Sequence, residues 1–309
     1  MKTINLLLVI FFLLPLSVLA QGNTFGAADY LSQGVGSRAA GMGNAYLALA
    51  DDATAGYWNP AGLARMGVYR YQLASQYAFL ENDMFYNYLA YAFQWPDVGA
   101  FAVSWINSGV GNIEGRDEYG ALTRDFSSAE NAFLFSYGRN ANRLVKGISF
   151  GTTVKVLHHQ LDTSTAWGYG LDMAILWQPL LYKEHTLGLV VQNIGQQMHW
   201  DTGTIDSSLL RAGLGGAMKF FPSSTEIYFH HLILTTDFLF SEYSRFEPRI
   251  GTEYWIIEQA AIRAGWEKDV FTAGASYQES IYGVNYAFRY DLSELSFHQH
   301  RISIAFRFK

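Results

Sequence analysis

Trp167-Gly168-Tyr169-Gly170-Leu171-Asp172-Met173-Ala174-Ile175-Leu176-Trp177 alternates large apolar residues with small or polar ones, and only Leu176 breaks the pattern. Side chains of an extended strand point to alternate faces, so this segment has one apolar side and one small or hydrophilic side. Trp167 and Trp177 share the apolar side. The path between them is roughly 33 Å, which a tilt of about 45° reduces to a height of roughly 23 Å. The apolar band of a lipid-spanning β-barrel is about 25 Å tall and edged by aromatic girdles. Trp167 and Trp177 therefore read as lipid-facing girdle residues.

Strands of soluble sandwiches alternate too, and repetition makes the case. Tyr282, Val284, Tyr286, Phe288 and Tyr290 oppose Gly283, Asn285, Ala287, Arg289 and Asp291. Ile302, Ile304, Phe306 and Phe308 oppose Arg301, Ser303, Ala305 and Arg307, and Ile148 to Leu157 repeats the pattern. The chain opens with Lys2, an apolar run from Leu6 to Leu14, Pro15 and Val18-Leu19-Ala20. These are the parts of a secretory signal peptide, so residues 1–20 are set apart from the fold. No other apolar stretch is long enough for a transmembrane helix, and lipid admits only helices and closed barrels.

The chain has no cysteine, which excludes disulfides and thiolate metal sites. Without the leader it carries 20 basic and 27 acidic residues, a net charge of −7, which argues against nucleic acid as a partner. Aromatic residues at 16%, charged residues at 16% and 29 glycines suit a barrel wall more than a soluble domain.

Residues 21–66 do not alternate and are rich in Gly and Ala, whereas residues 67–309 alternate to the end. The expectation is an all-β, transmembrane antiparallel barrel of about 14 strands, with residues 21–66 as a helical or irregular hatch in its lumen. Strands are expected to start near Val68, Met84, Gly99, Ala129, Gly147, Ala166, Thr186, Leu209, Thr225, Pro248, Ala260, Val270, Ile281 and His298. Extracellular connections should be the longer ones, including Ser108 to Ser127, Gln160 to Thr165, Gly195 to Ser207 and Leu292 to Phe297.

Gly34 to Ala39 matches a dinucleotide fingerprint in letters, yet no strand precedes it and no βαβ unit follows, so no cofactor is expected. His158-His159 and His230-His231 are adjacent on strands and point to opposite faces, which does not converge on a metal. His298 and His300 share a face near a strand start, where an interfacial His is ordinary. Lys155, Asp172, Arg263, Glu267, Arg289, Asp291, Arg301 and Arg307 are expected to face the lumen and carry both signs. They read as ion pairs that fix the plug rather than as catalytic acids and bases, since no Gly-x-Ser-x-Gly elbow accompanies them.

The stretch Gly36 to Ala64 is similar to the N-terminal signature of the PorV/PorQ family, relatives of the long-chain fatty-acid transporter FadL. The residues that carry the likeness are Gly36, Arg38, the Ala-Gly-Met-Gly core with Gly41, Met42 and Gly43, the pair Asp51-Asp52, and Trp58-Asn59-Pro60-Ala61-Gly62-Leu63. The resemblance implies a fourteen-stranded barrel with an internal hatch. Gly41 and Gly43 would let backbone approach the wall. Asp51 and Asp52 would accept backbone hydrogen bonds or pair with lumen arginines, and Pro60 would fix a turn. It also implies one of two roles, an accessory of type IX-like protein export or uptake of hydrophobic molecules. The final strand, His300 to Lys309, resembles the signal by which barrels reach their assembly machinery, with Phe308 penultimate.

The polar, aromatic-poor loop Asn112 to Ser127 ranks the export accessory first and a FadL-like channel second. A barrel-borne enzyme ranks third. The expected partners are outer-membrane lipid, the barrel assembly machinery, and either secretion-apparatus proteins with exported cargo or a hydrophobic small molecule. The expected place is the outer membrane of a Gram-negative bacterium.

Overall fold

The structure is a computed structural model that describes residues 26–142, 145–220, 231–241, 245–292 and 298–309. The leader, His230 and the expected strand start at Thr225 lie outside the described residues. The strand segments are β1 (Tyr71–Phe79), β2 (Met84–Trp95), β3 (Gly99–Ile113), β4 (Phe126–Asn140), β5 (Ile148–Leu161), β6 (Ser164–Trp177), β7 (His185–Trp200), β8 (Ile205–Ser207), β9 (Arg211–Phe220), β10 (His231–Ser241), β11 (Arg245–Ile257), β12 (Ala260–Glu267), β13 (Val270–Gln278), β14 (Tyr282–Asp291) and β15 (His298–Phe308).

Pairing runs between antiparallel sequence neighbours, and β15 pairs back onto β1 to close the sheet. Both β8 and β9 pair with β7, at its two ends. They are one strand interrupted at 208–210, so the closed barrel has fourteen strands. Inside it lie four short helical turns, Asp29–Gln33, Ser37–Ala40, Ala55–Trp58 and Pro60–Arg65.

The lengths of the described connections do not follow the expected division between the two ends. The end where β1 meets β2 carries the turns 80–83, 114–125, 162–163, 201–204 and 268–269, and the opposite end carries 96–98, 178–184, 258–259 and 279–281. Among the described connections only 114–125 is long on the first side, and the expected loop Leu292 to Phe297 lies outside the described residues but for Leu292. Residues read as loops at Gln160 to Thr165 and Gly195 to Ser207 are mostly strand. In the first, Asp162 takes φ 55° in a two-residue hairpin, so pairing continues to the tip. Below, "upper" denotes the end carrying 114–125, and "lower" the end where the hatch joins β1.

Outward side chains are exposed and apolar: Trp167 (50%), Tyr169 (62%), Met173 (53%), Ile175 (45%) and Trp177 (43%) on β6 alternate with buried Gly168, Asp172, Ala174 and Leu176. A continuous belt of this kind is what hydrocarbon solvates. Near the lower edge the rings of Phe93, Phe101, Tyr137 and Phe150 meet in series across β2 to β5 at 5.0 to 6.4 Å. Near the upper edge His158 packs on Trp167, and Phe288 on His298 and His300. Leu176 turns inward and joins the core between hatch and wall, where Val35, Met42, Tyr46, Leu47, Trp58 and Leu63 are also buried.

Candidate functional site

The hatch starts at the upper end. The Ala27 N–H donates to the Ser207 carbonyl at 3.2 Å, and Tyr30 sits against His159 near the top of β5. It then descends through the lumen to the lower end, where Gln72 of β1 holds the Met66 carbonyl and the Ala53 N–H. Within it, Trp58 donates to the Val35 carbonyl at 2.9 Å. Asn59 donates to the Leu47 carbonyl at 2.9 Å and accepts from the Ala61 N–H at 3.1 Å, capping the turn that Pro60 begins. Gly62 lies against the Ala50 carbonyl.

The charged contacts from wall to hatch fall on one side of the barrel. Glu253 of β11 accepts two hydrogen bonds of 2.9 Å from Arg38, and Arg263 of β12 adds a third at 2.6 Å. Asp237 of β10 accepts the N–H groups of Tyr46 and Leu47 at 2.7 and 2.9 Å. Glu267 of β12 pairs with Arg249 and Arg289 and also accepts from the Asn44 amide. Arg301 of β15 donates to the carbonyls of Gln33 and Gly34. Arg38 reaches Asp51 and the Tyr46 hydroxyl at 2.9 and 3.0 Å. Burial pushes the Tyr46 hydroxyl well above its ordinary pKa, with Arg38 opposing.

On the opposite side, neutral groups and close backbone contacts take over. Ser136 and Thr153 both donate to the Gly56 carbonyl, at 3.1 and 2.8 Å, and Gln192 to the Tyr57 carbonyl at 3.2 Å. A Cβ on Gly151 of β5 would strike the backbone of Pro60 and Ala61, so this wall position admits only glycine. Similarly, a Cβ on Gly43 would lie 2.6 Å from the backbone nitrogen of Trp266. Gly41 packs against Gly274, and Met42 beneath Gly251 and Gly265.

The wall itself is broken beside β8. Opposite Gly170 and Asp172, β7 carries two bulges in which Asn193 and Gly195 take φ 64° and 63°. Residues 193–196 thereby lose their regular ladder with the interrupted stretch 208–210, where Gln196 keeps a link, accepting from the Ser208 N–H at 3.0 Å and donating to the Ser208 hydroxyl at 2.7 Å. The hatch fills the gap from inside: Gly26 packs on Leu209, and the Ser208 hydroxyl donates to the Ala27 carbonyl at 2.7 Å. Next to it is a cavity of about 220 Å³, lined on its apolar side by Leu31, Tyr57, Leu134 and Leu209 and on its polar side by Lys155, Gln192, Asn193 and Arg211. A vestibule of about 940 Å³ opens below the hatch, lined among others by Asp51, Asp52, Arg65, Gln76 and Arg307.

The structure brings most of the residues singled out in the sequence to the hatch–wall contact. Gly36 takes φ 83° against Thr54. Asp51 pairs with hatch Arg38 rather than with a wall arginine, and Asp52 accepts from the Thr54 N–H and the Tyr46 hydroxyl. Lys155 and Asp172 pair at 2.8 Å beside the wall break, away from the Arg38 cluster. Arg307 lies apart near the lower mouth, over the Tyr69 ring, and Asp291 is partly buried at the upper end of β14. Glu253, Asp237, Arg249 and Asn193 were not anticipated. In register Glu253 stands opposite Arg263, Arg249 opposite Glu267 and Asp237 opposite Arg249, and pairing of this kind between strands was the available signal. His158 faces outward and His159 inward, and among the described residues no group of three His, Asp or Glu is placed to hold a metal.

No family model matches the chain, and no curated protein matches it. Solved structures do. The toluene transporter TbuX of Ralstonia pickettii superposes with a TM-score of 0.61 at 15% identity, over 89% of this chain and 99% of that one. The toluene transporter TodX of Pseudomonas putida gives 0.59 at 14%, over 88% and 96%. A FadL homologue from Pseudomonas aeruginosa gives 0.57 at 12%, over 88% and 98%. The fold is thus that of FadL-like barrels.

Proposed function

We propose that this chain is a non-enzymatic outer-membrane conduit for small hydrophobic molecules. The observation that carries the reading is the interrupted wall at 193–196 and 208–210, behind which, on the luminal side, lies a partly apolar cavity lined by the hatch. A solute with little water solubility gains by leaving the lumen sideways into lipid, because apolar surface then never meets the aqueous periplasm. The shared fold with two toluene transporters supports this reading. In it, Arg38, Asp51, Asp52, Trp58, Asn59 and the lumen charges hold the plug, and Trp167 and Trp177 anchor the barrel in the membrane.

The second reading, an accessory of type IX-like protein export, rests on the signature between Gly36 and Ala64 and on the polar excursion 114–125. On the signature alone it comes first, and the broken wall reverses the order. Deleting the gene separates the two. The expected outcome is reduced uptake of labelled toluene with an unchanged yield of secreted protein. Normal uptake with lost secretion would establish the export role instead.

A further inference from the structure

We infer that Lys155, Asp172 and Asn193 form a luminal clasp that keeps the barrel wall broken at β7, and that they are positioning residues for lateral passage. This rests on the conduit reading above. Lys155 of β5 and Asp172 of β6 are 4% and 1% exposed and pair at 2.8 Å. A buried ion pair repays its desolvation only when further hydrogen bonds complete it, and apolar replacements of similar volume are often as stable. The further bonds this pair makes, through the ammonium and Asp172 Oδ1, are informative.

Each of the added bonds goes to the break. The Asn193 N–H, displaced from the ladder by the bulge, donates to the Asp172 carboxylate at 2.9 Å. The Lys155 ammonium donates to Asn193 Oδ1 at 2.7 Å. The Asn193 amide in turn donates to the Leu209 carbonyl at 3.0 Å, within the interruption between β8 and β9. Asn tolerates the left-handed conformation that Asn193 adopts, with φ 64°. Backbone groups stripped of sheet partners would otherwise drive the strands to pair again or to collapse. The clasp supplies those partners from three strands, so a gap in the wall becomes a stable feature. Lys155 and Asn193 also line the 220 Å³ cavity on the inner side of the gap.

The test compares wild type, the double variant Lys155→Met/Asp172→Leu and the single variant Asp172→Asn in cells given labelled toluene. Folding is checked by heat-dependent gel migration of the purified barrels. The double variant keeps its barrel but loses uptake by about tenfold or more, the scale of one lost hydrogen bond in a barrier. Asp172→Asn retains an oxygen that can accept from the Asn193 N–H, so it keeps uptake close to wild type even though the uncompensated Lys155 charge lowers barrel stability. Wild-type uptake matched by a folded double variant would overturn the clasp and leave the conduit standing. A double variant that fails to fold moves the decision to two other comparisons: equal loss in Asp172→Asn and Asp172→Leu overturns the clasp, and loss in Asp172→Leu alone supports it. Absence of uptake even in wild type would instead overturn the conduit reading itself.

Discussion

Glu253 is fully buried, and its carboxylate is shared between Arg38 of the hatch and Arg263 of the wall. Glu253 is the sole acid paired with Arg263 among the described residues and shares Arg38 with Asp51. Removing a single partner from such an arrangement leaves uncompensated charge, and the typical cost is about 3–5 kcal/mol. Glu253→Ala should accordingly lower the denaturant midpoint of the purified barrel far more than Glu114→Ala, whose partner Arg116 is exposed and whose pair is worth less than about 1 kcal/mol. Equal midpoints for the two variants would show that the Arg38–Glu253 bond does not secure the hatch. Sequence parity could place a charge in the lumen, but it could not select its partner: Arg38 and Glu253 are 215 positions apart.

At the scale of one strand, β6 carries the argument for lipid. Met173 lies between the two tryptophans and points outward, 53% exposed. Arg at the bilayer midplane of a barrel costs about 2–4 kcal/mol, and about 0–1 kcal/mol near the interface. Met173→Arg should therefore destabilise the protein in vesicles by several times more than Trp167→Arg or Trp177→Arg once the loss of the indole is allowed for with the matching alanine variants. A flat profile along β6 would deny that hydrocarbon bathes this face. The neighbouring β7 behaves differently. Asn193 and Gly195 are turn-forming residue types, and Gly195 was read as the start of a loop; both instead sit at bulges inside a strand. A local turn signal and a bulge of this kind look alike in sequence, because both favour residues that tolerate positive φ.

In the whole molecule the hatch is held unevenly, by charged wall residues on β10 to β12 and β15 and by neutral groups and glycine contacts on β4, β5 and β7. Its two arginines, Arg38 and Arg65, lie inside the closed sheet, whereas Arg116 and Arg124 on the upper excursion have side chains 56% and 66% exposed. Trypsin acting on the unheated protein in detergent should cut at Arg116 or Arg124 and spare Arg38 and Arg65. Mass spectrometry of the fragments checks this, and early cleavage at Arg38 would mean that the hatch leaves the lumen on its own. Heating should expose all four sites as the barrel opens and its gel mobility changes.

Strand number and the alternation of the barrel strands were legible in the sequence, and the strand starts fell within four residues wherever those starts are described. Each of these follows from a choice made residue by residue between lipid and lumen, and that choice repeats with the period of the pleat. Tertiary structure alone decided that β15 closes on β1, that Gly151 meets Ala61, that Glu253 takes Arg38, and that Lys155 and Asp172 serve the break at Asn193. Those contacts depend on the path of the hatch through the lumen and on the register of strands far apart in the chain, neither of which leaves a periodic trace in the amino acids themselves.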